Sequence, residues 1–194
     1  MTAALYVPGT EETDRKKIMM SLQLIVGKVS AWPGATAGQL PFPATQVPSS
    51  DANTLDDYEE GTWTPDFTFA TPGNLSIAYS LRNAYYTKIG RLVAVSFSMI
   101  TSTFTHTTAS GAGLISGLPF TPNTADAQYS SYSPLFFQGI NKASYTVVHA
   151  GALGNTANMQ LFASGMGQPT ANVLAADMPT GGTVVLAGNA LYVV

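Results

Sequence analysis

Residues 92–100 read Leu-Val-Ala-Val-Ser-Phe-Ser-Met-Ile, so Val93, Val95, Phe97 and Met99 alternate with Ala94, Ser96 and Ser98. A period of two is the repeat of an extended strand, here with one strongly apolar face and one small, weakly polar face. Such a strand belongs in the middle of a sheet. Similar short runs, rich in Thr, Val, Tyr and Phe and broken by Gly, Pro and Asn, occur at 63–70, 75–81, 84–89, 113–118, 135–140, 144–149, 159–164, 183–187 and 190–194. Strands without interleaved helices predict a mainly β fold, an antiparallel sandwich or jelly roll. Lys88-Ile89-Gly90-Arg91 reads as a tight turn with Gly90 free to take a positive φ. No repeat of fixed period is present, which argues against a propeller or a β-helix.

Ionic side chains are scarce in this β region. After Asp66 the remaining 128 residues carry only Arg82, Lys88, Arg91, Lys142, Asp126 and Asp177. An ordinary globular domain is about a quarter charged. Ser, Thr, Asn and Gly must therefore keep the surface wet, or neighbouring subunits must cover it, because interface cores are depleted of charge. The preceding residues 32–66 are the opposite, with Asp51, Asp56, Asp57, Glu59, Glu60 and Asp66 and no base. The cluster Asp56, Asp57, Glu59 and Glu60 is expected to lie in a solvated loop or to pair with Arg82, Lys88 or Arg91 of a neighbouring chain.

Residues 10–26 carry the one convincing helical pattern. Thr10 or Thr13 serves as N-cap, Glu11, Glu12 and Asp14 lie near the positive end of the helix dipole, and Gly27 supplies a stop. Ile18, Leu22, Ile25 and Val29 follow the helical period. That apolar face needs cover from the β domain, from copies of itself or from another protein. Pro33, Pro41, Pro43 and Pro48 then mark an extended connector, either free or laid along a neighbour. The organisation expected is a helical N-terminal segment over 1–31, a Pro-rich and acidic linker over 32–61 and a β domain over 62–194.

Most chemistries lack their residues. There is no Cys, and His106 and His149 stand apart without nearby carboxylates, so no metal site, general base or cofactor is expected. The acids after the linker, Asp66, Asp126 and Asp177, have no context that marks a catalytic pair, and 51–57 meets the calcium-loop pattern only in part. No Ser stands in a nucleophile elbow, no Gly-rich phosphate loop is present, and eight bases against eleven acids give no basic stripe for nucleic acid. No apolar run reaches the length of a membrane span, so a soluble protein without a secretion signal or membrane insertion is expected. Aromatic side chains are the remaining functional candidates, and Tyr129, Tyr132 and Phe136, in the longest loop-like segment, are the expected exposed tip.

Three stretches carry a resemblance. They are Pro41-Phe42-Pro43-Ala44-Thr45-Gln46, then Asn53-Thr54-Leu55-Asp56-Asp57-Tyr58-Glu59-Glu60-Gly61-Thr62-Trp63-Thr64-Pro65, then Tyr85-Tyr86-Thr87-Lys88-Ile89-Gly90-Arg91-Leu92-Val93. Together they resemble the junction that links a virion-anchoring part to the β domain in tail fibres and related appendages of tailed bacteriophages. The resemblance implies a non-enzymatic virion protein, made in the host cytoplasm, that forms a homotrimer and attaches to a tail adaptor or capsid. Its knob would meet a host-surface glycan or protein. It implies anchoring through Ile18, Leu22, Ile25 and Val29, subunit contacts at Asp57, Tyr58, Glu59, Glu60 and Trp63, and receptor contact at Tyr129, Tyr132 and Phe136. A capsid decoration or head fibre protein without receptor binding is the alternative, and a polysaccharide depolymerase a third.

Overall fold

The computed structural model describes residues 16–18, 41–123 and 133–194. Lys16, Lys17 and Ile18 are helical and exposed; the rest of the helix expected over 10–26, with Leu22, Ile25 and Val29, lies outside the described residues. By its contacts the chain divides after Pro43, and the unit from Ala44 to Val194 is the β domain.

This unit is an antiparallel sandwich of two sheets. Sheet A runs in the order β1 (Tyr58–Thr62), β3 (Ser76–Ile89), β4 (Leu92–Thr105), β11 (Val185–Val193), β7 (Phe136–Gln138). Sheet B runs β2 (Asp66–Thr71), β5 (Ser110–Ser116), β9 (Asn158–Gly165), β8 (Val147–Ala152), β6 (Ser133–Pro134), with β10 (Gln168–Asn172) sharing an edge of β9 with β5. A 3-10 turn, Ala175–Asp177, precedes β11.

β4 takes the central place that its alternation predicts. Val93, Val95, Phe97 and Met99 are each no more than 5% exposed, while the other face looks outward. On one edge β4 pairs with β3 along almost its whole length; on the other, β11 pairs with it without interruption from Val185↔Ile100 to Val193↔Leu92. That unbroken ladder explains why two expected strands, 183–187 and 190–194, are one. The residues Gly188-Asn189 look like a turn in isolation but face Phe97 and Ser96 across the ladder. The expected runs 75–81 and 84–89 likewise merge into β3.

The β3–β4 hairpin closes over Gly90-Arg91, with Ile89 facing Leu92. Gly90 has φ 55°, the left-handed conformation that a primed two-residue loop requires at its first position, so the sequence-level expectation of this turn holds. Residues 58–60, Tyr-Glu-Glu, expected in the linker, instead form the first residues of edge strand β1.

Aromatic edges stitch the two sheets together. Phe104 of β4, fully buried, lies 5.1 Å from Phe67 and 6.3 Å from Phe69 of β2, all in edge-to-face arrangements, and His106 packs against the rings of Phe69 and Phe104. Buried Thr101 ties β4 to the chain entering β11: its N–H donates to the Val184 carbonyl (3.0 Å), and its hydroxyl accepts the Val184 N–H (2.8 Å). Truncating Phe104→Ala should cost about 3–5 kcal/mol, whereas Met166→Ala at a fully exposed side chain should stay within about 0.5 kcal/mol. Denaturant midpoints at unchanged slope are the readout.

Candidate functional site

The two longer stretches that carry the sequence resemblance meet in space. β1 pairs with the second half of β3 in the register Tyr58↔Ile89, Glu59↔Lys88, Glu60↔Thr87, Gly61↔Tyr86 and Thr62↔Tyr85. The Asp57 carbonyl accepts the Gly90 N–H at 2.8 Å, so the acidic stretch also holds the β3–β4 turn. At the same end Arg91 binds the last residue twice: its carbonyl accepts the Val194 N–H (3.0 Å), and its Nε donates to the Val194 carbonyl (3.2 Å).

On the inner side of β1 and the half of β3 beside it, polar side chains meet, and Asp57 and Glu59 each have a partner in their own chain. Asp57 forms a buried ion pair with Lys88, and the Lys88 ammonium also stands 5.5 Å from the Phe120 ring. Glu59 accepts a hydrogen bond from the Tyr86 hydroxyl, while Tyr86 packs edge-on against Phe120 at 5.4 Å. The Tyr86 ring crosses directly over Gly61, where a Cβ would come within 2.9 Å of the ring and its hydroxyl; only glycine leaves room. Trp63 is buried in the core, edge-on to Phe97 at 6.1 Å, and its indole N–H donates to the Tyr85 carbonyl at 3.2 Å. Within the chain, then, Asp57 holds Lys88, the base expected to serve the acidic cluster of a neighbouring chain, and Asp66 lies 3.7 Å from Arg82.

Outward-facing residues form a different surface. The outward rows of sheet A expose Tyr58, Tyr85, Ile89, Leu92, Leu191 and Phe136. Between them lie small or neutral residues such as Ala94, Ser96 and Ala187, and among the described residues of these five strands Glu60 is the one ionic side chain that points outward. Glu60 accepts a hydrogen bond from the Tyr58 hydroxyl (2.8 Å), which pushes the Tyr58 phenol above its ordinary range. The outer side of sheet B is more polar, with Thr68, His149, Gln160 and Ser164; Gln160 is bonded to Asn172 at 2.8 Å, and His149 to Ser164 at 2.6 Å. Phe136, expected at a loop tip, lies on β7 at the edge of sheet A. Tyr129 and Tyr132 lie outside the described residues.

The other residues weighed for chemistry have structural partners. Asp177 binds Lys142 (2.9 Å) and accepts the Leu174 N–H (2.8 Å) that opens the 3-10 turn. Asp51 accepts the Asn53 N–H in a local turn, which holds its carboxyl below the usual range, and Asp56 accepts the Ser49 N–H with the same effect. Among the described residues no three His, Asp or Glu side chains converge as a metal site would require, and no helix there is long and apolar enough to cross a membrane.

No protein-family model matches this sequence, and no curated protein matches it. Among solved structures, the Dettilon tailspike protein matches with a TM-score of 0.51 at 16% identity. The match covers 69% of this chain and 23% of that one, so the chain spans less than a quarter of the tailspike. At that identity the likeness is one of fold.

Removing one member of the buried Asp57–Lys88 pair leaves the other charge without compensation, so Lys88→Met should destabilise by about 3–5 kcal/mol, and the double variant Asp57→Leu/Lys88→Met should recover most of that loss. Chemical denaturation of the three proteins reads both changes. A second expectation concerns alkali. The bond to Glu59, followed by desolvation, pushes the Tyr86 phenol up to about 12, and burial pushes Tyr192 up to about 12. The unfolded chain releases these protons near the ordinary phenol value of 10.0, before the folded chain does, so it binds fewer protons over that interval and stability falls as pH rises. Stability should be fully present below pH 10 and decline towards pH 12, with Tyr86→Phe showing a shallower decline in denaturant titrations followed by tyrosinate absorbance.

Proposed function

We propose that this chain is a structural, non-enzymatic subunit of a phage tail appendage, a short trimeric fibre whose N-terminal segment attaches to the tail and whose β sandwich serves as a knob for host-surface adhesion. The fold likeness to part of the Dettilon tailspike protein supports the appendage reading. What carries the subunit reading is the outward face of sheet A, where Tyr85, Ile89, Leu92, Leu191 and Phe136 are exposed on a nearly uncharged surface. A charge-poor surface carrying several exposed large apolar side chains is characteristic of protein–protein contact. Second and third copies of the chain are the cover we assign to it, because the same scarcity of charge runs through the whole β region.

In this reading Tyr58 and Glu60 lie on the subunit face, whereas Asp57, Glu59 and Trp63 support it from behind by fixing β1 to β3. Phe136 is assigned to the same face rather than to a receptor tip. Anchoring falls to the segment holding Ile18, Leu22, Ile25 and Val29. Attachment to the capsid as a decoration protein is the competing placement, and cleavage of a host polysaccharide the competing activity.

Sedimentation equilibrium of the intact chain should give three times the mass of one chain, and Leu191→Asp, which sets a charge in the middle of the face, should shift the equilibrium towards single chains with the β spectrum retained. A single-chain mass for the unaltered protein would overturn the subunit reading. Immunogold labelling of the particle should mark the tail; label on the capsid, or shortened host glycan after incubation with the protein, would replace the appendage reading with one of its competitors.

A further inference from the structure

β3 contains a bulge with a chemical consequence. Its register with β4 shifts between Ala78 and Leu81, where Tyr79 faces Thr101 and Leu81 faces Ile100, so Ser80 is an extra residue. In an uninterrupted strand residues 79 and 82 would point to opposite faces. Here Ile77 faces inward opposite Phe104, Tyr79 opposite buried Thr101, and Arg82 opposite buried Met99, so the bulge sets an aromatic ring and a guanidinium side by side on the inner face. β1 ends at Thr62 and pairs only with residues 85–89, which leaves this half of β3 uncovered on its edge. The chain crosses at Trp63-Thr64-Pro65 to begin edge strand β2 at Asp66, across the opening.

The result is an open groove of about 480 Å³ between the sheet edges, bounded by Asp66, Thr68 and Ser116 on one side, by Tyr79 and Arg82 on the other, and by an apolar stretch that includes Leu75 and Ile77. That volume lies within the range of about 300–1,000 Å³ typical of small-molecule sites. The Arg82 guanidinium stacks 4.7 Å over the Tyr79 ring. The Tyr79 hydroxyl accepts the Phe67 N–H (2.8 Å) and donates to Asp66 Oδ1 (2.6 Å), and burial raises its phenol far above the ordinary range, so it remains a fixed donor. Arg82 approaches the same oxygen at 3.7 Å, too far for a strong bond. Asp66 Oδ2 and most of the five guanidinium N–H groups are thus left without a protein partner among the described residues.

We propose that this groove binds a neutral pyranose through two adjacent hydroxyls. A vicinal diol supplies a donor to Asp66 and an acceptor to Arg82 in one rigid unit, and the two opposite charges of the groove cancel, which favours an uncharged ligand over an acidic one. The C–H face of the ring rests on Leu75 and Ile77, while Thr68 and Ser116 provide hydroxyls within the same cavity. This assignment rests on the adhesion reading and gives it a ligand class and a site. It can fail on its own, because sugar binding is measured without reference to the particle.

The test is a titration of the intact, isotope-labelled protein with the methyl glycosides of glucose, galactose and mannose and with the corresponding uronic acids, followed by amide chemical shifts. At least one neutral glycoside should move the amides of Thr68, Tyr79, Arg82 and Ser116 in a saturable way. Arg82→Lys, which keeps the charge but loses the planar fork, and Asp66→Asn, which keeps the shape, should each weaken that binding about tenfold or more with an unchanged β spectrum. Absence of saturable shifts at the groove, shifts confined elsewhere, tighter binding of the uronic acids, or equal affinity in both variants would overturn the assignment. A positive titration of a protein found on the capsid would keep the groove and discard the tail placement.

Discussion

The alternation of Val93, Val95, Phe97 and Met99 along β4 forces one face of sheet A into the core and the other out of it, and the remaining strands take their places from that division. β3 and β11 copy its register on either edge, so their inward residues join the core that meets sheet B at the Phe67–Phe104 contact. Because the period is two, the outward set is fixed at the same moment. It contains Leu92 on β4, Tyr85 and Ile89 on β3 and Leu191 on β11, which no neighbouring strand of the sandwich covers among the described residues.

The few ionic side chains are concentrated where the sandwich is open. Along the flank formed by β1, β3 and β2, Asp57 holds Lys88, Glu59 holds Tyr86, and Asp66 holds Tyr79 near Arg82. A flank needs such groups because two sheet edges must approach there without a continuous ladder, and polar side chains at an edge also discourage pairing with foreign strands. The first two contacts close the flank; the third leaves it ajar. That difference follows from the length of β1, which stops opposite Tyr85, and from the bulge at Ser80.

Much of the sandwich was legible in the sequence because alternation and turn residues are local signals. The central place of β4 and the Gly90 turn follow from residues within ten positions of one another. Merging of the runs around Arg82 and around Gly188-Asn189 was not legible, since it depends on a long partner strand that keeps pairing through residues of low strand preference. β1 was hidden for a similar reason: Glu59 and Glu60 read as linker until Lys88 and Thr87 are brought opposite. The joint occurrence of the two motifs was the available signal for that contact. Nothing local marks Asp66, Tyr79 and Arg82 as one site, because a bulge is needed to bring positions 79 and 82 to the same face.

The central claim is that sister copies cover the outward face of sheet A. Hydroxyl-radical footprinting of the assembled protein tests it most directly, with fully exposed Met166 on the β9–β10 side as internal reference. The account predicts that Tyr85, Leu92, Leu191 and Phe136 are protected well below the reactivity their exposure in one chain implies. Oxidation of all four in proportion to that exposure would contradict it.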